Sequence, residues 1–547
     1  MQTINFRRFP AELDNFSDLF LDYIDHFEAV AEYYAGDFHN IESLRAMLPK
    51  IAEFPRNRDA LVNVLLQQNT SYGSGPITIQ NIHLLRRQNT FAIVTGQQVG
   101  FLGGPLYTLY KIITALSLSS QLSHLFPEYR FVPIFWLEGE DHDFEEVSYI
   151  RTITKENGLL ELQYLPHGKP LDRNPGAVGA LQLTSAVEDF FQQVRQSLVS
   201  TEFTEPLFEA LLEIYQVGRS LNEAFVRFIN YLFPDSGLVF LDPNNRELKE
   251  LARRIFEEEL TTFPNLCELV IDRSAHLEAV YHAQAKPKAI NLFLFHKGGR
   301  YLIEPSESGF SLKGSRQKFT REEIMQILSE SIELLSPNVI LRPVFQDWLL
   351  PTATYVAGPS EIAYFAQLKP LYEHFRIPMP IIYPRASATI LEEKIQKVLD
   401  RYSLSVLDFY GDVDELEQRI LEQESNIRLD ELFKEVKKKV SEALTELKFG
   451  LNHIDPTLLG ALETTRSKID TNLSSLREKA VAAQKRKNET LINQLRKSAN
   501  HIIPDNQLQE RWLSPLHFLN KYGFQFTHWL QSELRYNVFE HQILYLS

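Results

Sequence analysis

Cysteine is almost missing from this chain of 547 residues: Cys267 stands alone. One thiol can form neither an internal disulfide nor a thiolate metal cluster, which fits a reducing compartment. Long apolar runs are missing too. None approaches the roughly 18–20 residues that span a bilayer, and the opening MQTINFRRFP has no apolar signal-peptide core. A cytoplasmic protein, with no membrane contact, is expected. Positive charge is in deficit: 56 Lys and Arg against 71 Asp and Glu leave a net charge of −15. Broad nucleic-acid binding draws on basic surface, so no nucleic-acid partner is expected, although one local basic pocket for a small anion is compatible with this balance. What is present is an ordinary globular composition, 44% hydrophobic and 23% charged. At roughly 100–200 residues per domain, the length suits about three or four structural units.

Residues 11–70 carry mostly helical spacing, with Leu19, Tyr23, Phe27 and Val30 on one helical face. SYGSGP (71–76) is a turn-rich break, and a second helical stretch leads to position 90. Five short apolar runs come next: FAIVT (91–95), FVPIFWL (131–137), LVFLD (238–242), TATYVA (352–357) and MPIIYP (379–384). Such continuous runs suit strands buried on both faces, as in parallel sheets. Helical patterns after several of them, such as Leu106–Leu122 and Arg246–Leu260, predict an α/β fold with a doubly wound, Rossmann-like parallel sheet. The long gaps between runs predict two insertions, and FLFHKGGRYLIE (293–304) predicts a β-hairpin in the second. From Leu429 to Ile454, and again from Leu458 to Ala483, apolar residues step at helical spacing around Asp455-Pro456. Two helices of roughly 40 residues, each about 60 Å long, are expected as a long antiparallel coiled-coil hairpin. The divisions are then an N-terminal helical segment (1–90), core (91–150), first insertion (151–230), core (231–260), second insertion (261–335), core (336–411), coiled coil (412–500) and a C-terminal segment returning to the core (501–547).

Every strand candidate runs directly into a polar or Gly-rich segment. Parallel strands bring such segments to one edge, where open α/β sheets bind ligands. After FAIVT comes a turn with glycines at 96, 100, 103 and 104, then Pro105 and a helix. Glycines allow a tight turn and close approach, and a helix N-terminus favours an anion. The turn is neither a Walker A loop nor G-x-G-x-x-G; its structural alternative is a plain connection. Gln97 and Gln98 could orient a carboxylate or hydroxyl. Lys111 reads equally well as a surface lysine. EGEDHDFEEV (138–147) offers a general base, a seat for a cationic amine, or a solvated helix start. A single histidine without matched partners argues against a metal, and none is expected. Arg342 and Arg385 sit beside prolines in apolar stretches, where a guanidinium binds an anion or forms a structural ion pair. Ser360 and Glu361 suit a helix start. Cys267 reads as a buried thiol.

Together, TGQQVGFLGGPLYTLYKI (95–112), FWLEGEDHDFEEV (135–147), SPNVILRPVFQDWLLPTATYVAGPSEIAYFAQL (336–368), PRASAT (384–389) and LQERWLSPLHFLNKYG (508–523) resemble the recurring segments of the cysteine-adding enzyme family of bacillithiol biosynthesis, BshC. The resemblance runs almost the full length. It implies a Rossmann-like core with two connecting-peptide insertions, a coiled-coil domain and a homodimer. The implied activity is a ligase that joins cysteine, through its carboxyl, to the amine of glucosaminyl-malate in the last step of the pathway. Carried over by position, it implies a substrate pocket at Thr95–Gly104 and Glu138–Asp143. Taken with the strand-end positions, the candidate catalytic residues are Asp141, His142 and Asp143, and the candidate substrate contacts are Thr95, Gly96, Gln97, Gln98, Gly103, Gly104, Tyr107, Glu138, Arg342 and Glu361. The resemblance also implies a nucleotide, ATP or ADP, at Arg385, Ala386, Ser387, Gln509 and Arg511, with the malate-bearing substrate at the Gly-rich turn. The His-x-Gly-His signature of class I nucleotidyltransferases is absent, with Gly103-Gly104-Pro105-Leu106 near its place, so how the carboxyl is activated stays open. Two other readings stand beside this one: a nucleotidyltransferase for another carboxylic acid, and a non-catalytic binding protein organised by its coiled coil.

Overall fold

The computed structural model describes residues 2–13, 16–171, 174–307, 309–424 and 429–546. The chain divides into two compact units, Met1–Ile390 with Gln507–Leu544, and Leu391–Asn506 with Tyr545–Ser547.

In the first unit the five apolar runs form one parallel sheet, in the spatial order Ile381–Pro384, Thr352–Ala357, Thr90–Gln97, Arg130–Leu137, Val239–Leu241. Four of these strands are buried over all or nearly all their length, and Thr90–Gln97 is buried up to Gln97. Burial on both faces is why they read as unbroken apolar runs rather than alternating ones. The chain first builds outward from Thr90–Gln97 on one side, then returns to add Thr352–Ala357 on the other. That reversal leaves a crevice between the two strands at their carboxyl ends.

The helix after the Gly-rich turn is Tyr107–Leu125, and it packs on Thr90–Gln97 and Arg130–Leu137. Leu109, Ile112 and Ile113 on it are at most 1% exposed, and each such burial stabilises the fold by about 1.5–3 kcal/mol. Pro105 precedes the helix rather than opening it. The expected helix over Arg246–Leu260 breaks at Ala252 into Arg246–Leu251 and Arg253–Thr262. Near the N-terminus, the single helical face through Leu19, Tyr23, Phe27 and Val30 is also interrupted. Ser17 caps a helix that ends at Asp25, and Phe27–Ala29 is a separate turn of 3-10 helix.

Between the second and third core strands lie a β-hairpin (Tyr149–Ile153 with Leu159–Gln163) and the helices Ala186–Ser197, Thr204–Ile214 and Leu221–Leu232. Between the third and fourth lies a five-stranded antiparallel sheet. Its central hairpin, Leu292–His296 with Gly299–Ser306, turns through Lys297 and Gly298, both at positive φ. C-terminal residues return to this unit, where His541–Ile543 pair antiparallel with Gln2–Ile4.

In the second unit, Leu429–Ile454 and Leu458–Lys487 run antiparallel through a turn where Asp455 accepts from the Thr457 amide. Cross-helix contacts at Arg477–Asp430, Arg466–Ser441 and Lys437–Ser474 set that direction. These helices have 26 and 30 residues, about 39 and 45 Å long, and so fall short of the two 40-residue helices expected. The second stops because Asn488 leaves helical geometry before Glu489–Ile502 begins. Glu417, fully buried, accepts from both Arg496 and Lys485 and fastens the base of the hairpin.

Candidate functional site

The crevice opens into a cleft of about 640 Å³, within the size range of small-molecule sites. Gly96, Gln97 and Gln98 line one side of it, and Gly358 to Glu361, after the neighbouring strand, line the other. At Gly96 the adjacent strand passes so close that a Cβ would lie 3.0 Å from the Trp136 carbonyl oxygen. The turn beyond is held from outside the sheet: Leu102, at φ 51°, donates its amide to the Tyr215 hydroxyl at 2.7 Å.

Two opposed charges sit at the base of the cleft. Lys111 Nζ lies 2.5 Å from Glu361 and donates to the Gly96 carbonyl and to Gln97 Oε1. It is 3% exposed, so it is no surface lysine. Burial pulls its ammonium down, against the pull of Glu361. Burial would raise Glu361, but Lys111 and the Gly358 amide outweigh it and hold the carboxyl below its usual range. Alongside, Arg342 lies 3.0 Å from Glu138 and donates to the Tyr364 hydroxyl. Burial, helped by Glu140, Asp141 and Glu361, outweighs Arg342 and pushes Glu138 up to about 7.

The acidic run supplies a third carboxylate. Asp141 accepts from Gln98 Nε2 at 2.9 Å and from the His142 amide, and the Arg300 guanidinium lies 3.4 Å away. Burial opposes its charge, yet His142, Arg300 and Gln98 win and keep the carboxyl well below its usual range. Arg300 comes from the second insertion's hairpin, where it stacks 4.0 Å over Phe293 and donates to Ser336 and the Pro337 carbonyl. Glu140 is paired with the buried Lys249 at 2.5 Å. The carboxylates deepest in the cleft are therefore matched by cations. The ammonium groups of Lys286 and Lys288 and the guanidinium of Arg511 make no hydrogen bond or ion pair with any described residue. Unpaired cations at the rim of a cleft attract anions.

The family described as "Bacillithiol biosynthesis BshC, N-terminal Rossmann-like domain" matches residues 4–386, and "Bacillithiol biosynthesis BshC, C-terminal coiled-coil domain" matches residues 388–546. A relative from Salinibacter ruber, named "Putative cysteine ligase BshC", is 38% identical over 98% of this chain and 97% of its own length. One of the same name from Chloroherpeton thalassium is 35% identical over 97% and 96%. The chain belongs to the BshC family. A more distant BshC from Bacillus cytotoxicus is 28% identical over 86% of this chain and 87% of its own length. The enzyme class that the resemblance implied, a ligase, is the one for which these relatives are named.

For this BshC-family chain, the cleft gathers Gly96, Gln97, Gln98, Tyr107, Glu138, Asp141, His142, Arg342, Glu361, Arg385 and Arg511 from the anticipated set. The others lie elsewhere, each for a physical reason. Thr95 is buried in its strand, donating to the Val356 carbonyl. Gly103 packs against Phe228 and Ile229, and Gly104 faces a smaller neighbouring pocket. Asp143 caps the short helix Phe144–Val147, accepting from the Glu146 amide, and does not line the cleft. Ala386 and Ser387 are buried, with Ser387 bonded to Glu510 and His541. Gln509 pairs with both backbone groups of Ile390 like a strand neighbour. Arg385 reaches the cleft over the Tyr107 ring, but its charge is met by buried Glu510 at 2.6 Å. Residue patterns gave no notice of Arg300, Lys249, Lys286 or Lys288. Arg300 comes two residues after the hairpin's turn glycine, Gly298, which signals the turn and nothing about the arginine. No helix among the described residues is long and apolar enough to cross a membrane.

Proposed function

We propose that this chain is a cysteine ligase that joins cysteine, through its carboxyl, to the amine of glucosaminyl-malate, completing bacillithiol in the cytoplasm. The observation that carries the reading is the charge arrangement of the cleft. Glu138 and Asp141, deep in it, suit an amine, while Lys286 and Lys288, without partners among the described residues, suit carboxylates. Glucosaminyl-malate carries both kinds of group, and the relatives' name supplies the cysteine.

In this reading Gln97, Gln98 and Arg342 orient the hexosamine, and the Asp141–His142 pair, 3.3 Å apart, takes the proton that the amine loses as the amide forms. ATP is the proposed source of carboxyl activation, and Arg385 and Arg511 are the two of its five anticipated contacts that line the cleft. A homodimer is proposed through the hairpin, where Phe449 and Ile454 leave large apolar side chains in solvent. The test is a deletion strain complemented with this gene, with bacillithiol measured by mass. Restored bacillithiol, lost again with Asp141→Asn, is the expected result. Normal bacillithiol in the deletion strain, with no second gene copy, would refute the reading.

A further inference from the structure

Behind Gln97 and Tyr107 lies a second, smaller cavity of about 190 Å³. It shares five residues with the main cleft: Gln97, Gln98, Tyr107, Glu146 and Arg511. The two spaces therefore adjoin, at the place where the turn and the C-terminal segment meet. A three-carbon amino acid fits the smaller space.

Its chemistry is that of a zwitterion's complement. Arg511 offers a guanidinium with no hydrogen bond or ion pair to any described residue, and a guanidinium fork suits a carboxylate. Glu146 offers a carboxylate that accepts from the Gln98 amide at 2.8 Å; a carboxylate has further lone pairs for an ammonium. Trp512 and Val147 add apolar wall for a short side chain. Arg151 also lines the cavity, but Glu161 already holds it at 2.5 Å.

We propose that this side pocket is the seat of the free amino acid substrate, with its α-carboxylate on Arg511 and its ammonium on Glu146. The inference rests on the ligase reading and deepens it. It gives the two substrates separate compartments, with the acid's carboxyl at the residues the two spaces share, facing the main cleft where the amine-bearing partner binds. It also assigns Arg511 to the amino acid rather than to a nucleotide.

Trp512, one of four tryptophans in the chain, gives a local signal. The experiment titrates the full-length protein with L-cysteine under reductant, and separately with glucosaminyl-malate, following tryptophan fluorescence and calorimetry. L-cysteine is expected to change the fluorescence, and Trp512→Phe to abolish that change while calorimetry still reports binding. Arg511→Gln is expected to weaken L-cysteine by about tenfold or more, since a charge-assisted hydrogen bond is lost. It should leave glucosaminyl-malate within about twofold. Arg511 has no partner to strand, so this variant should melt with the wild type. Undiminished cysteine affinity in Arg511→Gln, or a cysteine signal that survives Trp512→Phe, would overturn the assignment. So would a wild-type protein that binds glucosaminyl-malate but no cysteine. Failure to bind glucosaminyl-malate would instead count against the ligase reading itself.

Discussion

Replacing Lys111 with methionine should cost the first unit more than any surface substitution, and the size can be worked out. The ammonium has three partners, Glu361, the Gly96 carbonyl and Gln97 Oε1. Its side chain is 4% exposed and that of Glu361 is 19% exposed. Methionine keeps much of the volume, so the loss is chiefly electrostatic: Glu361 is left buried without its counter-charge. Breaking a buried pair from one side costs about 3–5 kcal/mol. The unit has roughly 430 residues. At about 2.1 cal/mol/K per residue, its unfolding entropy is near 0.9 kcal/mol/K, so the midpoint should fall by about 3–6 °C. Adding Glu361→Gln to Lys111→Met should recover part of that loss, because a neutral amide tolerates burial better than a lone carboxylate. The assay is differential scanning of both single variants and the double variant. A Lys111→Met shift below about 1 °C would refute the reasoning, as would a double variant whose losses simply add.

Glu138, pushed up to about 7 by burial, keeps its proton in the folded state where an unfolded chain has already lost it. Its contribution to stability is present at low pH and is lost as pH rises through about 7. Glu138→Gln should flatten the wild type's decline in melting temperature across that window, and an unchanged slope would contradict it. In the ligand-bound direction, affinity for an amine-bearing substrate should rise over the same window and lose that step in Glu138→Gln, as read by calorimetry at several pH values. Asp143→Ala should cost about 1 kcal/mol, the usual worth of a helix cap, with turnover unchanged, whereas Asp141→Asn should lower turnover more than stability. Lys249→Met should lower the melting temperature, because it strands buried Glu140, and Glu140→Gln added to it should restore part of the loss. Tyr215→Phe removes the hydroxyl that holds Leu102; it should cost about 1 kcal/mol and slow turnover, measured against the melting temperature of the same sample.

The sheet was legible because burial on both faces writes itself into five unbroken apolar runs, and because each run gives way to a polar or Gly-rich segment. The site was legible at the same edge for the same reason. Polar residues near the strand ends, however, have two fates that composition does not separate. Gln97 and Arg342 enter the cleft, while Ser387 and Gln509, equally polar, satisfy buried backbone and side-chain groups. Arg342 was legible among the cations that balance the cleft, but Arg300 and Lys249 were not. Arg300 meets Asp141 across 159 residues, and Lys249 meets Glu140 across 109; a pairing of that range leaves no local spacing to read. The hairpin was legible as helices, but a continuous apolar stripe hides where helices stop, and Asn488 shortened the second.

The reversal in strand order has a consequence for how the protein comes into being. The walls of the cleft are drawn from residues near 97, 138, 300, 361 and 511. A ribosome must therefore deliver nearly the whole chain before any binding site exists, so a nascent or truncated product has no partial competence to consume substrate. A single cut in either insertion or ahead of the C-terminal segment separates walls that belong to one cavity. Loss of a C-terminal piece far from the sheet in sequence should be as final for the cleft as loss of the Gly-rich turn.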